Sequence, residues 1–333
     1  MRLPAEWERQ SFVQLTFPHK DTDWFPILDD VIECYYNIIK SITKYEPVLL
    51  LAQDMDLAQS ILGNLSNIQI LSCKSNDTWS RDHGFITCLD KDTFHFMDFQ
   101  FNGWGLKYPS NYDNTLNRQL WAKGILKGKY VNNQDFVLEG GSIESDGKGT
   151  ILTTTSCLLS QNRNSTLSRK EIEDKIKKYF GCKQVLWLES GFLRGDDTDG
   201  HIDTLARFCP NNIISYNKCK DRDDEHYEPF SKMEIELSKF RNINGEPYRL
   251  ISLPFPDAIY DEEGCRLPAT YANYLVINGA LLYPTYNQPS LDYEAKSCLK
   301  QLYPDREIIG IDCKALIRQH GSLHCCTMQY PSI

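Results

Sequence analysis

The run G-D-D-T-D-G-H-I-D-T-L-A-R-F, from Gly195 to Phe208, carries both a folding signal and a chemical one. Its acidic and glycine residues predict a loop, and the alternation from residue 201 onward predicts a strand that enters a sheet. Residues two apart on a strand share one face, so His201 and Asp203 are expected to project together, about 7 Å apart at the backbone. An imidazole beside a carboxylate suits acid–base chemistry.

This strand begins a β-β-α-β unit. Strands over 201–208 and 213–216 are joined across P-N-N, and a helix over 228–240 and a strand over 248–253 follow. The same order recurs after paired strands at 82–89 and 94–101, 136–144 and 150–155, and 271–277 and 280–283. Helices are predicted next, over 114–122, 168–180 and 291–302, with closing strands over 184–188 and 307–311. The unit therefore repeats about four times at roughly 60-residue spacing, which is typical of a closed or stacked repeat architecture.

The two ends of the chain each carry part of a fifth unit. The N-terminal strand 11–17, helix 26–44 and strand 47–52 lack a first strand, and a helix over 56–62 and a strand over 68–73 follow them. The C-terminal strand 323–329 has no unit of its own. Joining the two ends would close a ring, so we predict an α/β fold in which residues 1–333 form a single catalytic domain with rough fivefold pseudosymmetry.

Composition limits the classes of partner and the cellular location. The formal net charge of −9 argues against a nucleic-acid backbone or an anionic membrane as the principal partner. The first ten residues are too charged for a signal peptide, and no apolar run approaches the roughly 20 residues of a membrane helix. The twelve cysteines are scattered without a C-x-x-C pair, which indicates reduced thiols. We therefore predict a cytoplasmic protein.

If the units superpose, the polar residues that begin their first strands meet at one end of the ring. They include Asp82, Glu139, the His201–Asp203 pair and Cys325. A thiol with an imidazole and an acid makes an activated sulfur nucleophile. The additional carboxylates oppose ionisation of the thiol, unless the substrate brings a positive charge. A guanidinium does so, and it matches carboxylates with paired hydrogen bonds.

Six segments resemble the agmatine deiminases, in the same order along nearly the whole chain. They are N-D-T-W-S-R-D-H-G (76–84), F-N-G-W-G (101–105), L-E-G-G-S-I-E (138–144), L-L-S-Q-N-R-N (158–164), G-D-D-T-D-G-H-I-D (195–203) and G-S-L-H-C (321–325). The N-terminal L-P-A-E-W (3–7) is similar as well. The sequence departs from the family at Asp199, where some members have Asn, and at Leu106, where a second Gly is usual.

The resemblance implies the five-bladed α/β-propeller of ββαβ units that guanidine-modifying (pentein) enzymes share. It implies hydrolysis of agmatine to N-carbamoylputrescine and ammonia, a step of putrescine and polyamine biosynthesis. By position, Cys325 would be the nucleophile that forms a covalent amidino-cysteine, and His201 the acid and base. Asp82 and Asp203 would bind the guanidinium, Glu139 would orient His201, and Trp79 and Trp104 would line the pocket. No metal or organic cofactor is implied.

Three alternatives remain at this stage. The same chemistry is compatible with arginine, either free or at a peptide C-terminus, because related members act on such residues. A metal-dependent hydrolase would use His201, Asp203 and His324, and a propeller-type binding protein would hold a ligand without releasing ammonia. The sequence sets no oligomeric state, and a homo-oligomer is compatible with it; the predicted partner is a small cationic guanidine.

Overall fold

The computed structural model describes residues 1–333 and contains five β-sheets. In every sheet, a first strand pairs antiparallel with a second strand, and the second strand pairs in parallel with a third. A helix makes the crossover between the two parallel strands, as such a connection requires. Each sheet is therefore built from a β-β-α-β unit, which confirms the predicted repeat and the α/β class.

The strands group by sheet as follows. The first sheet has Thr327–Pro331, Gln10–Thr16, Val48–Ala52 and Ile68–Ser72; the second has Ile86–Asp90, Thr93–Gln100 and Lys129–Val137; the third has Ile143–Ser145, Thr150–Thr154 and Gln184–Leu188; the fourth has Ala206–Cys209, Ile213–Asn217 and Arg249–Leu253; the fifth has Leu275–Ile277, Ala280–Thr285 and Glu307–Asp312.

The crossover helices of the five sheets, in the same order, are Leu28–Ile42, Asp113–Ala122, Arg169–Phe180, Tyr227–Leu237 and Pro289–Leu302. A further helix, Met55–Leu62, precedes the extra strand of the first sheet. Shorter helical segments are Phe25–Ile27, Ser80–His83, Gly103–Leu106, Gly140–Ser142, Thr155–Leu158, Ile202–Thr204 and Lys314–Ile317. None of the helices combines the length and the apolar character that crossing a lipid bilayer demands.

The two chain termini meet in the first sheet. Strand Thr327–Pro331 runs antiparallel to Gln10–Thr16, with Met328 opposite Gln14 and Thr327 opposite Leu15. The C-terminal strand therefore supplies the first strand that the N-terminal unit lacks, as the sequence predicted. The predicted single catalytic domain over residues 1–333 stays a prediction.

Local sequence signals explain where the helices begin and end. In helix Arg169–Phe180, Ser168 and Glu171 form a reciprocal capping box, and Gly181 ends the helix in the left-handed conformation with φ 64°. Helix Leu28–Ile42 has acidic residues in its first turn and Lys40 in its last, which suits the helix dipole. Its apolar residues recur at helical spacing and are buried against the first and fifth sheets.

The apolar core consists of three clusters that lie between the sheets and their helices. The largest cluster combines the first and fifth sheets and contains Trp24, Tyr35, Tyr271 and Tyr274. A second cluster joins the second and third sheets, and a third surrounds the fourth sheet. The turns that precede the first strand of each sheet lie outside these apolar clusters and can therefore carry polar side chains.

The structure corrects several predicted strand starts. Residues 136–144 do not form one strand: Lys129–Val137 closes the second sheet, Gly140–Ser142 is a 3-10 turn, and the next strand begins at Ile143. Likewise, His201 and Asp203 do not alternate along a strand, because Ile202–Thr204 is a 3-10 turn and the strand begins at Ala206. Asp82 lies in the helical turn Ser80–His83, and the C-terminal strand begins only at Thr327. In each case, short turns ahead of the strand hold the polar residues.

Substitution of Tyr330 tests how the C-terminal strand is packed in the first sheet. Its ring is buried and stacks on Phe12 at 4.3 Å between centroids, and its hydroxyl donates to Gln14 Oε1 at 2.7 Å. We expect Tyr330→Ala to lower the free energy of unfolding by about 3–5 kcal/mol, since it leaves a large cavity. Tyr330→Phe keeps the ring and should cost only about 1 kcal/mol. Urea unfolding followed by circular dichroism measures both; equal losses would contradict a packing role for the ring.

Candidate active site

Cys325 lies in the turn before strand Thr327–Pro331 and is only 5% exposed. Its Sγ is 4.0 Å from Asp203 Oδ2 and 3.5 Å from Asn273 Oδ1. The same amide oxygen of Asn273 accepts from the backbone N–H of His324 at 2.9 Å. Asn273 therefore fixes the backbone that carries the thiol.

The carboxylate of Asp203 is fully buried, and its two oxygens differ in their surroundings. Oδ2 accepts from Nδ1 of His324 at 2.7 Å, whereas Oδ1 has no hydrogen-bond partner within the protein. Burial alone would raise the pKa of Asp203, but the hydrogen bond and charge of His324, with the charge of His201, hold it below its usual value. Asp203 is therefore ionised, with Oδ2 near the thiol and Oδ1 available to a ligand.

His201 and Asp82 form the other side of the site. Nδ1 of His201 is 3.6 Å from Asp82 Oδ1, and neither ring nitrogen has a hydrogen-bond partner within the protein. Burial lowers the pKa of His201, but Asp82, Cys157 and Glu139 together outweigh burial, and the net pKa lies well above the usual histidine value. Burial raises the pKa of Asp82 to about 6. The imidazole is thus charged near neutral pH and able to donate a proton.

Gly141 shows how closely these groups approach one another. A Cβ atom at this position would lie 2.6 Å from His201 Nδ1, 2.9 Å from Asp82 Oδ1 and 3.1 Å from Asp203 Oδ2. The backbone N–H of Gly141 also donates to Asp82 Oδ1 at 3.0 Å. Only a residue without a side chain fits here, which explains the second glycine of L-E-G-G.

Glu139 is completely buried behind His201. Both of its carboxylate oxygens accept from Nε of Arg163, at 2.9 and 3.0 Å. A carboxylate oxygen of Glu139, a ring nitrogen of His201 and Sγ of Cys157 lie within 4.8 Å of one another. Glu139 is therefore placed near the imidazole but is held by Arg163, and its orienting role stays a prediction.

The two predicted tryptophans line the cavity that leads to Cys325. Trp104 Nε1 donates to Asp82 Oδ2 at 2.9 Å, so that it also positions this carboxylate. Trp79 packs against Gly321, where a Cβ atom would lie 2.3 Å from the indole ring. The cavity holds about 20 Å³, enough for about one water molecule.

The segment from Gly103 to Tyr108 covers this cavity. Its residues 103–106 all have positive φ values, including 53° at Trp104 and 66° at Leu106. Lys107 Nζ donates to Asp199 Oδ1 at 2.6 Å, and the Tyr108 hydroxyl donates to Asp197 Oδ2 at 2.7 Å. The side chain of Leu106 is 73% exposed. The usual glycine is thus replaced by a residue that points outward.

Asp199, the other departure from the family, has a defined structural role. Its Oδ2 accepts from Arg163 Nη1 at 2.5 Å while Oδ1 accepts from Lys107. Its φ of 68° is one that Asp and Asn tolerate better than most residues. Asp199 therefore links the covering segment to the Arg163–Glu139 pair behind His201.

Sequence reasoning missed three groups that support the site: Asn273, Arg163 and the bridge that His324 forms. Asn273 lies two residues before the fifth sheet's first strand, much as Asp203 and Asp82 lie three and four residues before theirs, so the repeat itself carried the signal. The ring of His324 is held between two carboxylates, those of Asp203 and Glu6, each 2.7 Å from a ring nitrogen. The metal-ligand role considered for His324 has no support in these contacts.

Known proteins resemble this chain over its whole length. Residues 2–331 match the family model of the Porphyromonas-type peptidyl-arginine deiminases. The agmatine deiminase of Pseudomonas aeruginosa is 30% identical, over 99% of this chain and 95% of that protein. The solved structure of a Cys-to-Ser variant of C. jejuni agmatine deiminase with substrate bound is 40% identical, with a TM-score of 0.93 over 99% and 96% of the chains. A candidate arginine deiminase of Porphyromonas gingivalis is 48% identical, with a TM-score of 0.94 over 99% and 98%.

The environment of Cys325 predicts how its reactivity depends on pH. Burial raises the pKa of the thiol well above its usual value, and the carboxylates of Asp203 and Asp82 add to this effect. Because the thiolate is the reactive form, alkylation by neutral iodoacetamide should be slow at pH 7 and keep rising above pH 9. Mass spectrometry of the Cys325 peptide measures the rate, with the exposed Cys265 as internal control. A plateau below pH 8 would contradict the raised pKa.

Proposed function

Because the chain belongs to the Porphyromonas-type peptidyl-arginine deiminase family, we propose that it hydrolyses the guanidinium of agmatine to N-carbamoylputrescine and ammonia. One observation carries the proposal. Asp203 and His201 carry unpaired polar atoms and are buried together around Gly141, and Oδ2 of Asp203 is 4.0 Å from Sγ of Cys325, which lines a cavity. Buried polar atoms normally have partners, and a planar guanidinium would donate to the unpaired oxygen of Asp203, while the protonated His201 remains free to donate to the departing nitrogen.

The substrate's charge would activate the nucleophile. In the free site, the carboxylates of Asp203 and Asp82 disfavour the Cys325 thiolate. A guanidinium bound by both carboxylates offsets that repulsion and favours ionisation. The Cys325 thiolate then attacks the central guanidinium carbon and forms a carbon–sulfur bond, which gives a tetrahedral adduct.

Proton transfer by His201 would complete both halves of the reaction. The charged imidazole donates its proton to the departing nitrogen, the carbon–nitrogen bond breaks, and ammonia leaves a covalent amidino-cysteine. The neutral imidazole then takes a proton from the attacking water. The carbon–sulfur bond breaks, the Cys325 thiolate is restored, and the carbamoyl product departs.

The substrate's tail distinguishes agmatine from arginine. A second cavity of about 370 Å³ adjoins the first and shares Asp77, Trp104 and Tyr108 with it. Its lining includes Asp21, Asp23 and Asp77, whereas Lys74 is its one cationic side chain. An amine suits such a lining, while an α-carboxylate calls for arginine or lysine. We therefore favour agmatine over free or peptide-terminal arginine.

We also propose a metabolic role and a cellular location for this reaction. N-carbamoylputrescine would supply putrescine and polyamine synthesis, and we propose a cytoplasmic location. We further propose that residues 1–333 act as one pseudo-fivefold catalytic domain, closed by the pairing of the first and last strands.

Ammonia release tests the proposed reaction. We expect the purified protein to release ammonia from agmatine, and to act far more slowly on arginine or on a peptide that ends in arginine. Cys325→Ser should lower turnover about 1,000-fold or more, since it removes the nucleophile, without changing the circular dichroism spectrum. A preference for either arginine substrate would keep the chemistry and overturn the substrate; full activity of Cys325→Ser would overturn the mechanism.

Asp77→Asn tests the tail site. Asp77 lines both cavities, and its Oδ1 accepts from Thr78 N and Trp24 Nε1, contacts that the Asn amide oxygen retains. Removing the charge should raise KM for agmatine about 10-fold and change kcat little, because the amine is remote from the reacting carbon. Asp21→Asn, at the exposed rim, is the matched control and should raise KM about 2-fold at most. Equal effects of the two variants would argue against a specific amine site at Asp77.

A further inference from the structure

Glu6, in the N-terminal L-P-A-E-W segment, is a hub of polar contacts that the proposed reaction does not explain. Oε1 accepts from His324 Nε2 at 2.7 Å and from Arg81 Nη1 at 3.2 Å. Oε2 accepts from Arg207 Nη2 at 2.6 Å and from Gln329 Nε2 at 3.0 Å. Four donors on one carboxylate, whose side chain is only 20% exposed, mark a built contact rather than a chance surface pairing.

His324 bridges Glu6 to the active site. Its Nδ1 faces Asp203 Oδ2 and its Nε2 faces Glu6 Oε1, each at 2.7 Å. Carboxylates only accept hydrogen bonds, so each ring nitrogen must donate in order to make its contact. Arg207 Nη2 is 3.1 Å from the same Nε2, but it donates to Glu6 Oε2 at the shorter distance. The ring therefore acts as a rigid spacer between two carboxylates.

Charge pairing shows why this bridge survives in a buried place. The carboxylates of Glu6, Glu144 and Asp203 are paired with the guanidinium groups of Arg81 and Arg207 and with the ring of His324. Burial and the charges of Arg207 and Arg81 keep the pKa of His324 below its usual value, whereas Glu6 and the hydrogen bond to Asp203 favour the second proton on the ring. Loss of any one member leaves a buried charge without its partner.

We infer that Glu6 is a positioning residue for the reaction, acting through His324 on Asp203. Glu6 fixes the imidazole, the imidazole fixes Oδ2 of Asp203, and Oδ1 is thereby directed toward the guanidinium. This inference rests on the proposed function, because the guanidinium is what Asp203 would bind. It assigns a role to the N-terminal segment, which contributes no group to the cavity around Cys325.

A double-mutant cycle tests the chain of contacts. Glu6→Gln keeps the size of the side chain but removes its charge, and His324→Asn keeps an amide donor at the position of Nδ1 while losing the reach to Glu6. We expect Glu6→Gln to lower kcat/KM for agmatine about 10- to 100-fold, as loss of an outer partner commonly does. In the His324→Asn background, the same change should cost less than about 2-fold, because Glu6 no longer communicates with Asp203. An equal loss in both backgrounds would overturn the inference.

Glu8→Gln is the matched control. Glu8 lies in the same segment and is paired by both oxygens with Arg2 at 2.6 Å, but it does not contact His324. We expect its kcat/KM to stay within about 2-fold of wild type. A loss as large as that of Glu6→Gln would show that the segment acts only by holding the fold.

The rate of inactivation by chloroacetamidine is a second measurement. It distinguishes failure of this inference from failure of the proposed function and from misfolding of a variant. Chloroacetamidine carries a planar amidinium, and alkylation forms a bond from Cys325 Sγ to its methylene carbon as chloride leaves. Its reaction needs Asp203 but no agmatine turnover, so it reports on positioning even if the wild type releases no ammonia. The inactivation rate should fall about 10-fold in His324→Asn, whether or not Glu6→Gln folds. An unchanged inactivation rate in His324→Asn would overturn the inference. If the wild type released no ammonia from agmatine but the inactivation rate still fell in His324→Asn, only the proposed function would be overturned.

Discussion

The buried carboxylate of Asp203 is the constraint on which the rest of the site depends. An ionised group without water is costly, and partners at one oxygen only leave the other available for a ligand. His324 provides that one-sided pairing, Glu6 lies at the other ring nitrogen of His324, and Arg81 and Arg207 are paired with Glu6. The site therefore obtains a directed negative charge from a carboxylate that a network of buried polar contacts holds in place.

The same carboxylate restrains the nucleophile. Asp203 and Asp82 raise the pKa of Cys325, so the resting thiol is protected from ionisation and from adventitious alkylation. A cationic ligand offsets the negative charge of these carboxylates, and a neutral one does not. Selection for a guanidinium is thus part of the activation step as well as of binding, which reconciles a strongly raised thiol pKa with a sulfur nucleophile.

The repeat was predictable from the sequence, but the exact placement of the polar residues was not. Alternation and turn signals predicted the five units, including the strand shared by the two termini. Lys129–Val137 escaped prediction because Asn132, Asn133 and Gln134 are typical of a loop, and its pairing with Thr93–Gln100 overrides that preference. His201 and Asp203 were predicted on a strand because alternation over six residues cannot distinguish a strand from a 3-10 turn that leads into one.

The contacts between side chains were harder to predict from the sequence than the secondary structure. Cys325, His201, Asp82 and Asp203 were predicted through chemistry and resemblance, and the structure brings the four together. The contacts of Arg163, Asn273 and Glu6 join residues far apart in the chain, and no periodicity encodes them. Asn273 came closest to prediction, since its place in the fifth unit repeats that of Asp203 in the fourth.

The covering segment shows how fold and chemistry are coupled. Left-handed backbone at Trp104 and Leu106 costs about 1–2 kcal/mol per residue and persists only where surrounding contacts hold it. Those contacts are the hydrogen bond from Trp104 to Asp82 and the ion pair of Lys107 with Asp199. Asp199 also binds Arg163, and Arg163 holds Glu139 behind His201. The charged groups that stabilise the covering segment are therefore the same ones that surround the acid–base group. A substitution in this segment therefore affects the cavity's shape and the electrostatics of His201 together.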